Sequence, residues 1–189
     1  LYLELMRHGS VFKMVVATAA LENNTITTKT TVNDTGIYPR GHNPACWIYT
    51  SRHYGHGYLN VTEAIKKSCN YFFYELGYKM GIDPVIKYAK SYGLGIKTGI
   101  ELSGESKGIV DLKDYCKETT GQEWQFGDTL SAVIGQSYNS YTPIQIARYT
   151  SMLANGGKSV DVTLIKSIID SDGNKVPKDE NEKKINEKL

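Results

Sequence analysis

The sequence has few cysteines and no long apolar run, and these absences exclude several classes of protein. Three cysteines in 189 residues are too few, and odd in number, for a disulfide framework. The longest apolar runs, such as Val15–Leu21, are too short to span a bilayer. The start, Leu1–Arg7, lacks the order of a signal peptide, because its positive charge follows the apolar residues instead of preceding them.

The sequence also lacks an excess of charge of either sign. Lys and Arg number 22 against 20 Asp and Glu, a net charge of +2, so nothing in the charge balance favours nucleic acid or an anionic membrane as a partner. The composition, with 40% hydrophobic and 22% charged residues, is that of a globular protein and excludes a disordered or fibrous chain. The length is that of one domain or most of one.

Apolar periodicity and capping residues predict a helix-rich chain with few strands. Helices are expected over Ser10–Glu22, Ala64–Ser68, Asn70–Met80, Asp83–Gly93 and Thr142–Asn155. We expect a strand over the Thr-rich Asn24–Val32, a long ordered loop over Asn33–Tyr58, and a hairpin over Val160–Lys175. Residues 1–175 are assigned to one domain or part of one, and residues 176–189 to a charged linker or frayed helix.

Ser10 and Lys13 form the first candidate catalytic pair. Residues three apart share one face of a helix, and Ser10 lies at the predicted helix N-terminus, where free N–H groups stabilise negative charge. A lysine with a pKa lowered by burial takes a proton from a serine nucleophile. The alternative is a Ser N-cap followed by a surface Lys, since Ser-x-x-Lys is a short and common pattern.

Ser68 and Asn70 form the second candidate pair, at a break between two predicted helices. A serine nucleophile needs a second hydroxyl for proton transfer and an amide to hold a peptide-like substrate, and these two residues would supply both. The alternative is a helix junction at which Ser and Asn only cap the next helix.

The two pairs and their flanks, taken in order, resemble the transpeptidase domain of class B penicillin-binding proteins. The resemblance covers roughly residues 9–157, although the family usually has Pro where this chain has His8. The matching segments are His8–Val15 (nucleophile motif), Glu63–Tyr74 (Ser-x-Asn motif), Thr98–Glu105, Ile134–Gln136 and Thr142–Ala147.

The resemblance implies a mixed α/β (α+β) fold of the penicillin-binding protein and serine β-lactamase type. Helices would pack on an antiparallel sheet that is incomplete in this chain. It also implies a peptidoglycan D,D-transpeptidase: Ser10 is acylated by the D-Ala-D-Ala stem peptide, Lys13 is its base, Ser68 relays a proton to the leaving amine, and Asn70 holds the substrate amide. β-Lactams would acylate the same serine.

The chain contains Lys97-Thr98-Gly99, which has the form of the third family motif, Lys-Thr/Ser-Gly. In the family that motif follows the helix corresponding to the one at Thr142, whereas this triplet precedes it. We therefore expect Lys97-Thr98-Gly99 to be an exposed turn and the chain to end before the true third motif, so that the fragment alone is inactive.

A cluster of zinc-type ligands is the last candidate site. Cys, His and carboxylate side chains occur in and after the long loop, at spacings that match no zinc-finger pattern. Without the resemblance, a small buried Cys69 and histidines that form hydrogen bonds within the loop are the favoured explanation. Some class B members hold zinc beside the active site, and the matching residues here are Asp34, Cys46, His56 and Cys69. His53 would be an alternative to His56, and Cys116 has no such match.

The resemblance also gives the setting. Stem peptides, β-lactams and cell-wall synthesis proteins are the expected partners, nucleic acid is not expected, and no organic cofactor is required. The location would be the outer face of the bacterial cytoplasmic membrane, with an anchor that lies outside this chain. The alternative function is a non-catalytic penicillin-recognising or metal-stabilised binding module, or a β-lactam sensor domain.

Overall fold

Helices dominate residues 4–176, which are the residues described by the computed structural model of the chain. A 3-10 turn over Gly9–Phe12 leads into the first α-helix. The α-helices are α1 (Lys13–Glu22), α2 (Trp47–Arg52), α3 (Val61–Lys66), α4 (Asn70–Met80), α5 (Asp83–Ser91), α6 (Leu112–Thr120), α7 (Phe126–Ala132) and α8 (Pro143–Ala154). No helix in this range is both long and apolar enough to cross a membrane.

The strands pair in two short antiparallel ladders within the described range. They are β1 (Val32–Asp34), β2 (Gly57–Leu59), β3 (Ile168–Ile169) and β4 (Lys175–Val176). In the first ladder Val32 pairs with Leu59 and Asp34 with Gly57. This register holds both ends of the long loop together, so that Asp34 lies beside the Gly-His-Gly segment.

The described residues form two compact units. One unit contains Arg7–Ala89 and Ile109–Ser140, and it therefore includes α1 to α4, α6, α7 and the first ladder. The other contains Lys90–Gly108 and the residues from Tyr141 onward, with α8 and the second ladder. The candidate catalytic and metal-binding residues all belong to the first unit.

The core of the first unit forms where α1, α4 and α7 pack together. Val15 and Ala19 of α1 and Phe72 of α4 are fully buried, and each large apolar side chain so buried contributes about 1.5–3 kcal/mol. A Cβ added at Gly77 of α4 would lie 3.0 Å from a methyl of Val133. The glycine thus permits the close approach of α4 to the end of α7.

The second unit is organised by Gln145 near the start of α8. The Thr142 side chain accepts a hydrogen bond from the Gln145 N–H, and the Gln145 side chain accepts one from the Thr142 N–H, which forms a capping box. The Gln145 amide also donates to the carbonyls of Ile96, at 2.7 Å, and Lys107, at 2.9 Å. One buried amide therefore caps the helix and holds the Gly-rich segment before it.

The helix predictions are confirmed within a few residues, most closely over α4. The first predicted helix begins as a 3-10 turn, and Asp83 is the first residue of α5 instead of its N-cap. The fold class is also confirmed as mixed α/β. The hairpin over Val160–Lys175 is shorter than predicted, because its strands are only β3 and β4.

The strand predicted over Asn24–Val32 is wrong. Asn24 has a positive φ of 55°, and the threonine hydroxyls satisfy local backbone groups, with Thr27 N donating to Thr30 Oγ1 and Lys29 N to Thr27 Oγ1. Such local bonds replace a strand ladder.

The loop predicted over Asn33–Tyr58 contains α2 and most of β1 and β2. Residues 177–189 of the predicted linker lie outside the described residues.

Candidate active site

Ser10 lies in the 3-10 turn that precedes α1 and is exposed to solvent. In the first turn of a helix the N–H groups have no intrahelical partner, and the Ser10 N–H forms no backbone hydrogen bond within residues 4–176. The hydroxyl and the free N–H therefore stand together at the helix start. If a carbonyl carbon bonds to Ser10 Oγ, the Ser10 N–H can donate a hydrogen bond to the oxyanion that forms.

Lys13 is buried, with 2% of its surface exposed, and its ammonium group contacts the second candidate pair. Its Nζ donates to Asn70 Oδ1 at 2.5 Å, to the Ser68 carbonyl at 2.9 Å and to Ser68 Oγ at 3.1 Å. Three oxygens thus satisfy the three N–H bonds of the ammonium group. The structure brings Lys13 into contact with Ser68 and Asn70, although more than fifty residues separate the lysine from these two residues.

Ser68 connects Lys13 to Ser10. The Ser68 hydroxyl donates to Ser10 Oγ at 2.9 Å, and in the described residues the side chains of Lys13 and Ser10 form no direct hydrogen bond. The sequence predicted that Lys13 takes the Ser10 proton and that Ser68 serves the leaving amine. The geometry provides one chain of hydrogen bonds, from Ser10 through Ser68 to Lys13, and the predicted proton-transfer roles stay predictions.

Burial makes Lys13 easier to deprotonate than an exposed lysine. Burial lowers the pKa of Lys13 to about 8, and electrostatic interactions with Cys46 and Cys69 partly oppose this shift. The ring of Phe73, with its centroid 5.6 Å from Nζ, faces the ammonium group. Phe73 belongs to a run of four aromatic residues, and no local pattern indicates which of them lies beneath a lysine.

Ser68 is held in a strained backbone conformation at the junction of α3 and α4. Its φ is +49°, a region that residues other than glycine, asparagine and aspartate rarely adopt. Such strain persists only where surrounding contacts enforce it, and it is common in active sites. The next residue, Cys69, is the N-cap of α4 and its Sγ accepts from Phe72 N, so the helix start fixes Ser68 and Asn70 on either side.

Gly135 holds the backbone just before the nucleophile. Its carbonyl accepts a hydrogen bond from Gly9 N at 3.1 Å. Its φ is +76°, and an added Cβ would lie 1.9 Å from the Gly9 carbonyl oxygen, so no other residue fits without displacing Gly9. The sequence identified Gly135 only as part of a family landmark, because a contact across more than a hundred residues leaves no local signal.

The four predicted zinc ligands converge at one point. Their ligand atoms lie within 4.8 Å of one another, and they are Asp34, Cys46, His56 and Cys69. Each lies at the end of a short element: Asp34 ends β1, Cys46 and Cys69 are the N-caps of α2 and α4, and His56 precedes β2. The first ladder and two helix starts therefore build the cluster.

The donor set fits a tetrahedral zinc ion. The two sulfurs are 3.9 Å apart and Cys46 Sγ is 3.7 Å from His56 Nδ1. Zinc–sulfur bonds of about 2.3 Å require a sulfur–sulfur separation of roughly 3.8 Å in a tetrahedron. Asp34 Oδ2 accepts hydrogen bonds from His56 Nδ1, at 2.7 Å, and from Cys69 Sγ, at 3.2 Å, so all four groups already face a common centre.

The thiols of this cluster have unequal proton affinities. The hydrogen bond from Cys69 lowers the pKa of Cys46 to about 6, and the same bond, together with burial, raises the pKa of Cys69. Burial works against ionisation of Asp34, but hydrogen bonds from His56, Gly36 and Cys69 outweigh it and hold the pKa of Asp34 below its ordinary value. Cys46 is thus the thiol that ionises more readily, and it lies beside the Asp34 carboxylate.

The Gly55-His56-Gly57 segment shows why His56, and not His53, reaches the cluster. A Cβ at Gly55 would lie 2.0 Å from the Asp34 carbonyl oxygen, so Gly55 lets the two backbones touch. His53 ends α2 in the left-handed conformation and its ring packs edge-on against Tyr49. His53 is absent from the ligand group found among the described residues.

Lys97-Thr98-Gly99 forms an irregular segment whose backbone and hydroxyl groups bind Glu105. The Glu105 carboxylate accepts from Thr98 N and Thr98 Oγ1, both at 2.7 Å, and from Gly99 N at 3.2 Å. The prediction of an exposed turn is wrong: residues 97–99 form an irregular segment, and Thr98 is buried because its hydroxyl bonds the carboxylate. The hydrogen bonds of Thr98 and Gly99 are structural, and the predicted absence of a catalytic role stays a prediction.

Comparison with known proteins identifies the family to which this chain is similar. The model of the penicillin binding protein transpeptidase domain matches residues 5–188. The peptidoglycan D,D-transpeptidase MrdA of Haemophilus influenzae is 35% identical over 163 residues, which cover 85% of this chain and 24% of that protein. This chain therefore spans about a quarter of the length of the curated relatives it matches.

Solved structures show the same similarity. A complex between the penicillin-binding protein PBP2 and MreC from Helicobacter pylori matches with a TM-score of 0.78 and 35% identity, over 84% of this chain and 29% of that one. Pseudomonas aeruginosa PBP2 in complex with WCK 5153 matches with a TM-score of 0.79 and 32% identity, over 92% of this chain and 40% of that one.

Proposed function

Because the chain belongs to the penicillin-binding protein transpeptidase domain family, we propose that it carries the acylation site of a peptidoglycan D,D-transpeptidase. The observation that supports this proposal most directly is the hydrogen-bonded chain from Ser10 through Ser68 to Lys13. A non-catalytic module would have no need of a buried lysine and a strained serine beside an exposed hydroxyl, since both cost stability.

Acylation begins with attack of Ser10 Oγ on the carbonyl of the penultimate D-alanine of a stem peptide. When Lys13 is neutral, the chain of hydrogen bonds runs from Ser10 to Ser68 to Lys13 Nζ, so the Ser10 proton passes to Ser68 while the Ser68 proton passes to Lys13. The new Ser10–carbon bond places negative charge on the carbonyl oxygen. The Ser10 N–H is positioned to stabilise that charge.

Collapse of the tetrahedral intermediate returns the proton along the same path. Protonated Lys13 donates to Ser68, Ser68 donates toward the reacting centre, and the carbon–nitrogen bond to terminal D-alanine breaks as its amine takes the proton. This is the direction of donation that the structure shows, with Lys13 Nζ donating to Ser68 Oγ and Ser68 Oγ to Ser10 Oγ. An acyl-Ser10 ester and free D-alanine result.

Transfer completes the reaction. An amine of a neighbouring stem peptide attacks the acyl-Ser10 carbonyl and loses a proton through Ser68 to Lys13. The Ser10–carbon bond then breaks, and the proton returns from Lys13 through Ser68 to Ser10 Oγ, which restores the hydroxyl. Asn70, whose Oδ1 accepts from Lys13 at 2.5 Å, holds the lysine in place, and its amide N–H is the group available to a peptide carbonyl. β-Lactams acylate Ser10 by the same first step, with the ring amide as the bond broken.

A structural zinc ion held by Asp34, Cys46, His56 and Cys69 is part of this proposal. Four protein ligands complete a tetrahedral sphere, so such an ion supplies stability and leaves no position for an activated water. Cys69 lies between Ser68 and Asn70. Fixing its sulfur therefore fixes the two residues that contact Lys13, and it joins the loop of β1, α2 and β2 to the start of α4.

The proposed setting is the synthesis of the cell wall at the outer face of the bacterial cytoplasmic membrane, with the protein held there by an anchoring segment. The MrdA relatives are named as peptidoglycan transpeptidases, which supports a cell-wall substrate. One solved relative is described in complex with MreC, which supports a second cell-wall protein as a partner of this one.

Release of D-alanine tests the proposed reaction. The full-length protein is incubated with a synthetic peptide ending in D-Ala-D-Ala and with the same peptide ending in L-Ala-L-Ala, and free alanine is measured over time. We expect release from the D-peptide alone, and its loss in Ser10→Ala. Binding of penicillin with no release from either peptide would favour a recognition or sensor module instead.

A further inference from the structure

A polar pocket lies beside the nucleophile turn and has no role in the acylation chemistry described above. Its volume is about 340 Å³. The residues that line it belong to the unit that contains Ser10, and they are Arg7, Asp128, Ser131, Gln136, Ser137 and Tyr138. Five of these six side chains carry a group that donates a hydrogen bond, and Asp128 carries a carboxylate, so the pocket suits a polar ligand.

The position of Arg7 in the sequence and the position of the Gln136 side chain place this pocket near Ser10. Arg7 precedes Ser10 by three residues, so the two Cα atoms are at most about 11 Å apart. Gln136 follows Gly135, which binds Gly9, and the Gln136 amide nitrogen is 3.5 Å from the position of a Cβ on Gly9. The pocket therefore lies close to the turn that carries Ser10.

The two charged side chains of the pocket, Arg7 and Asp128, do not form an ion pair with each other. Within residues 4–176 the Arg7 guanidinium group forms no hydrogen bond or ion pair, and the side chains of Gln136 and Ser137 form no hydrogen bond. Asp128 Oδ2 accepts from Gln125 N at 2.8 Å, and Asp128 has no basic partner among these residues. One cation and one anion thus line the same pocket without pairing.

Backbone strain at Ser137 is a second feature of the pocket. Its φ is +68°, which serine rarely adopts, and among residues 4–176 it shares a positive φ with only one other serine, Ser68 of the candidate active site. The strained turn directs residues 136–138 to the pocket wall. A local cost of this kind is typical of ligand-binding segments.

We propose that this pocket binds a residue of the stem peptide that carries a carboxylate and an ammonium group close together. Arg7, with Gln136 and Ser137, receives the carboxylate, and Asp128 receives the ammonium group. A guanidinium group and a carboxylate both bind their counterparts by charge-assisted hydrogen bonds. The inference rests on the proposed function, because it takes the ligand to be part of the peptide that reacts at Ser10.

Two stem peptides meet at a transpeptidase site, and the proposed ligand belongs to one of them. The acyl donor presents its carbonyl to Ser10, and the acceptor later presents its amine to the acyl-Ser10 ester. The pocket belongs to the donor if its loss slows acylation by peptide, and to the acceptor if its loss slows only transfer to the amine.

Equilibrium binding to the full-length Ser10→Ala protein tests the pocket without requiring catalysis. The probes are a synthetic peptide with an amine and a neighbouring carboxylate, the same peptide with that carboxylate as a primary amide, and the same peptide with that amine acetylated. The variants are Arg7→Gln and Asp128→Asn, since asparagine retains the acceptor for Gln125 N. Arg52→Gln, an exposed arginine of α2, is the matched control.

We expect the amide probe to bind the Ser10→Ala protein about tenfold more weakly than the carboxylate probe, as for the loss of one charge-assisted hydrogen bond. Arg7→Gln should remove that difference, and Asp128→Asn should remove the difference between free and acetylated amine, while Arg52→Gln changes neither. If Arg7→Gln weakens the carboxylate and amide probes equally, or weakens neither, the proposal is overturned.

Kinetics of the Arg7→Gln protein with an intact Ser10 then identify the source of the ligand. A raised KM for the acceptor amine with unchanged acylation indicates the acceptor, and a lowered kcat/KM for acylation by the donor peptide, with unchanged acylation by penicillin, indicates the donor. If neither kinetic constant changes, the pocket has no part in the reaction. Failure of the proposed function itself would be seen separately, as the absence of penicillin acylation in the protein with wild-type Arg7.

Discussion

The Ser68 hydroxyl lies 2.9 Å from Ser10 Oγ and donates a hydrogen bond to it, while it accepts one from Lys13 Nζ at 3.1 Å. Ser68 is therefore the only side chain among residues 4–176 that bonds both the nucleophile and the lysine. The proton of Ser10 has a path to Lys13 through this hydroxyl, and the proposed mechanism depends on it.

Removal of that hydroxyl should slow acylation strongly. In Ser68→Ala we expect the rate of acylation by penicillin to fall by about 10²–10⁴-fold, the usual contribution of a positioned proton-transfer group. The measurement is stopped-flow or quenched labelling of the full-length protein with fluorescent penicillin. Ser151→Ala, which alters an exposed serine of α8, is the control and should keep the wild-type rate. An unchanged rate in Ser68→Ala would mean that Lys13 acts on Ser10 without a relay.

The pH dependence of acylation should reflect Lys13. Its pKa is lowered from 10.5 to about 8 mainly by burial, and only the neutral amine accepts a proton. The neutral fraction, and with it the rate, should therefore rise about tenfold per pH unit below pH 8 and level off above it. Rates of penicillin acylation between pH 5.5 and 9.5 measure this directly. A rate that stays flat from pH 6 to 8 would contradict the assignment of Lys13 as base.

Zinc content should depend on Cys69 but not on Cys116. Both thiols are buried, yet only Cys69 faces Asp34, Cys46 and His56. Elemental analysis of protein purified without chelator should give about one zinc per chain, and this zinc should be lost in Cys69→Ser and kept in Cys116→Ser. Because an ion bound to the native state stabilises it by mass action, Cys69→Ser should also melt at a lower temperature. Wild-type protein free of metal, with melting unchanged by chelator, would refute the site.

Gly135→Ala should impair acylation more than its effect on stability explains. The added methyl would lie 1.9 Å from the Gly9 carbonyl oxygen and displace the turn that carries Ser10. Gly121→Ala is the matched control: Gly121 ends α6 with a similar positive φ, 71° against 76°, and has open space around it. Each substitution should cost roughly 1 kcal/mol of backbone strain. Only Gly135→Ala should lower the penicillin acylation rate of the folded protein, and equal rates in the two variants would remove the positioning role.

Local patterns in the sequence predicted most of the helices, because their signals are local. Thr142 and Pro143 start α8 as expected, and Gly81 ends α4. The Ser10–Lys13 spacing likewise predicted two side chains on one helix face. The strand predicted over Asn24–Val32 failed because threonine favours strands by propensity, whereas here its hydroxyls bond the local backbone.

Contacts between distant segments could not be predicted from local pattern. Ser68 and Asn70 were identified by resemblance to a family, and nothing in their own spacing places them against Lys13. The contact of Gly135 with Gly9 and the pocket beside it depend on the packing of α7 against α4. The choice between His53 and His56 stayed open in the sequence because both lie in one short segment, and it is decided by the close approach of Gly55 to the Asp34 backbone.

The identity of the acylated residue tests the central claim most directly. The full-length protein is labelled with penicillin, digested, and analysed by mass spectrometry to locate the adduct, alongside a folded Ser10→Ala protein. The account predicts one adduct on the peptide that contains Ser10 and none on Ser10→Ala. An adduct on any other residue, or labelling that survives Ser10→Ala, would contradict it.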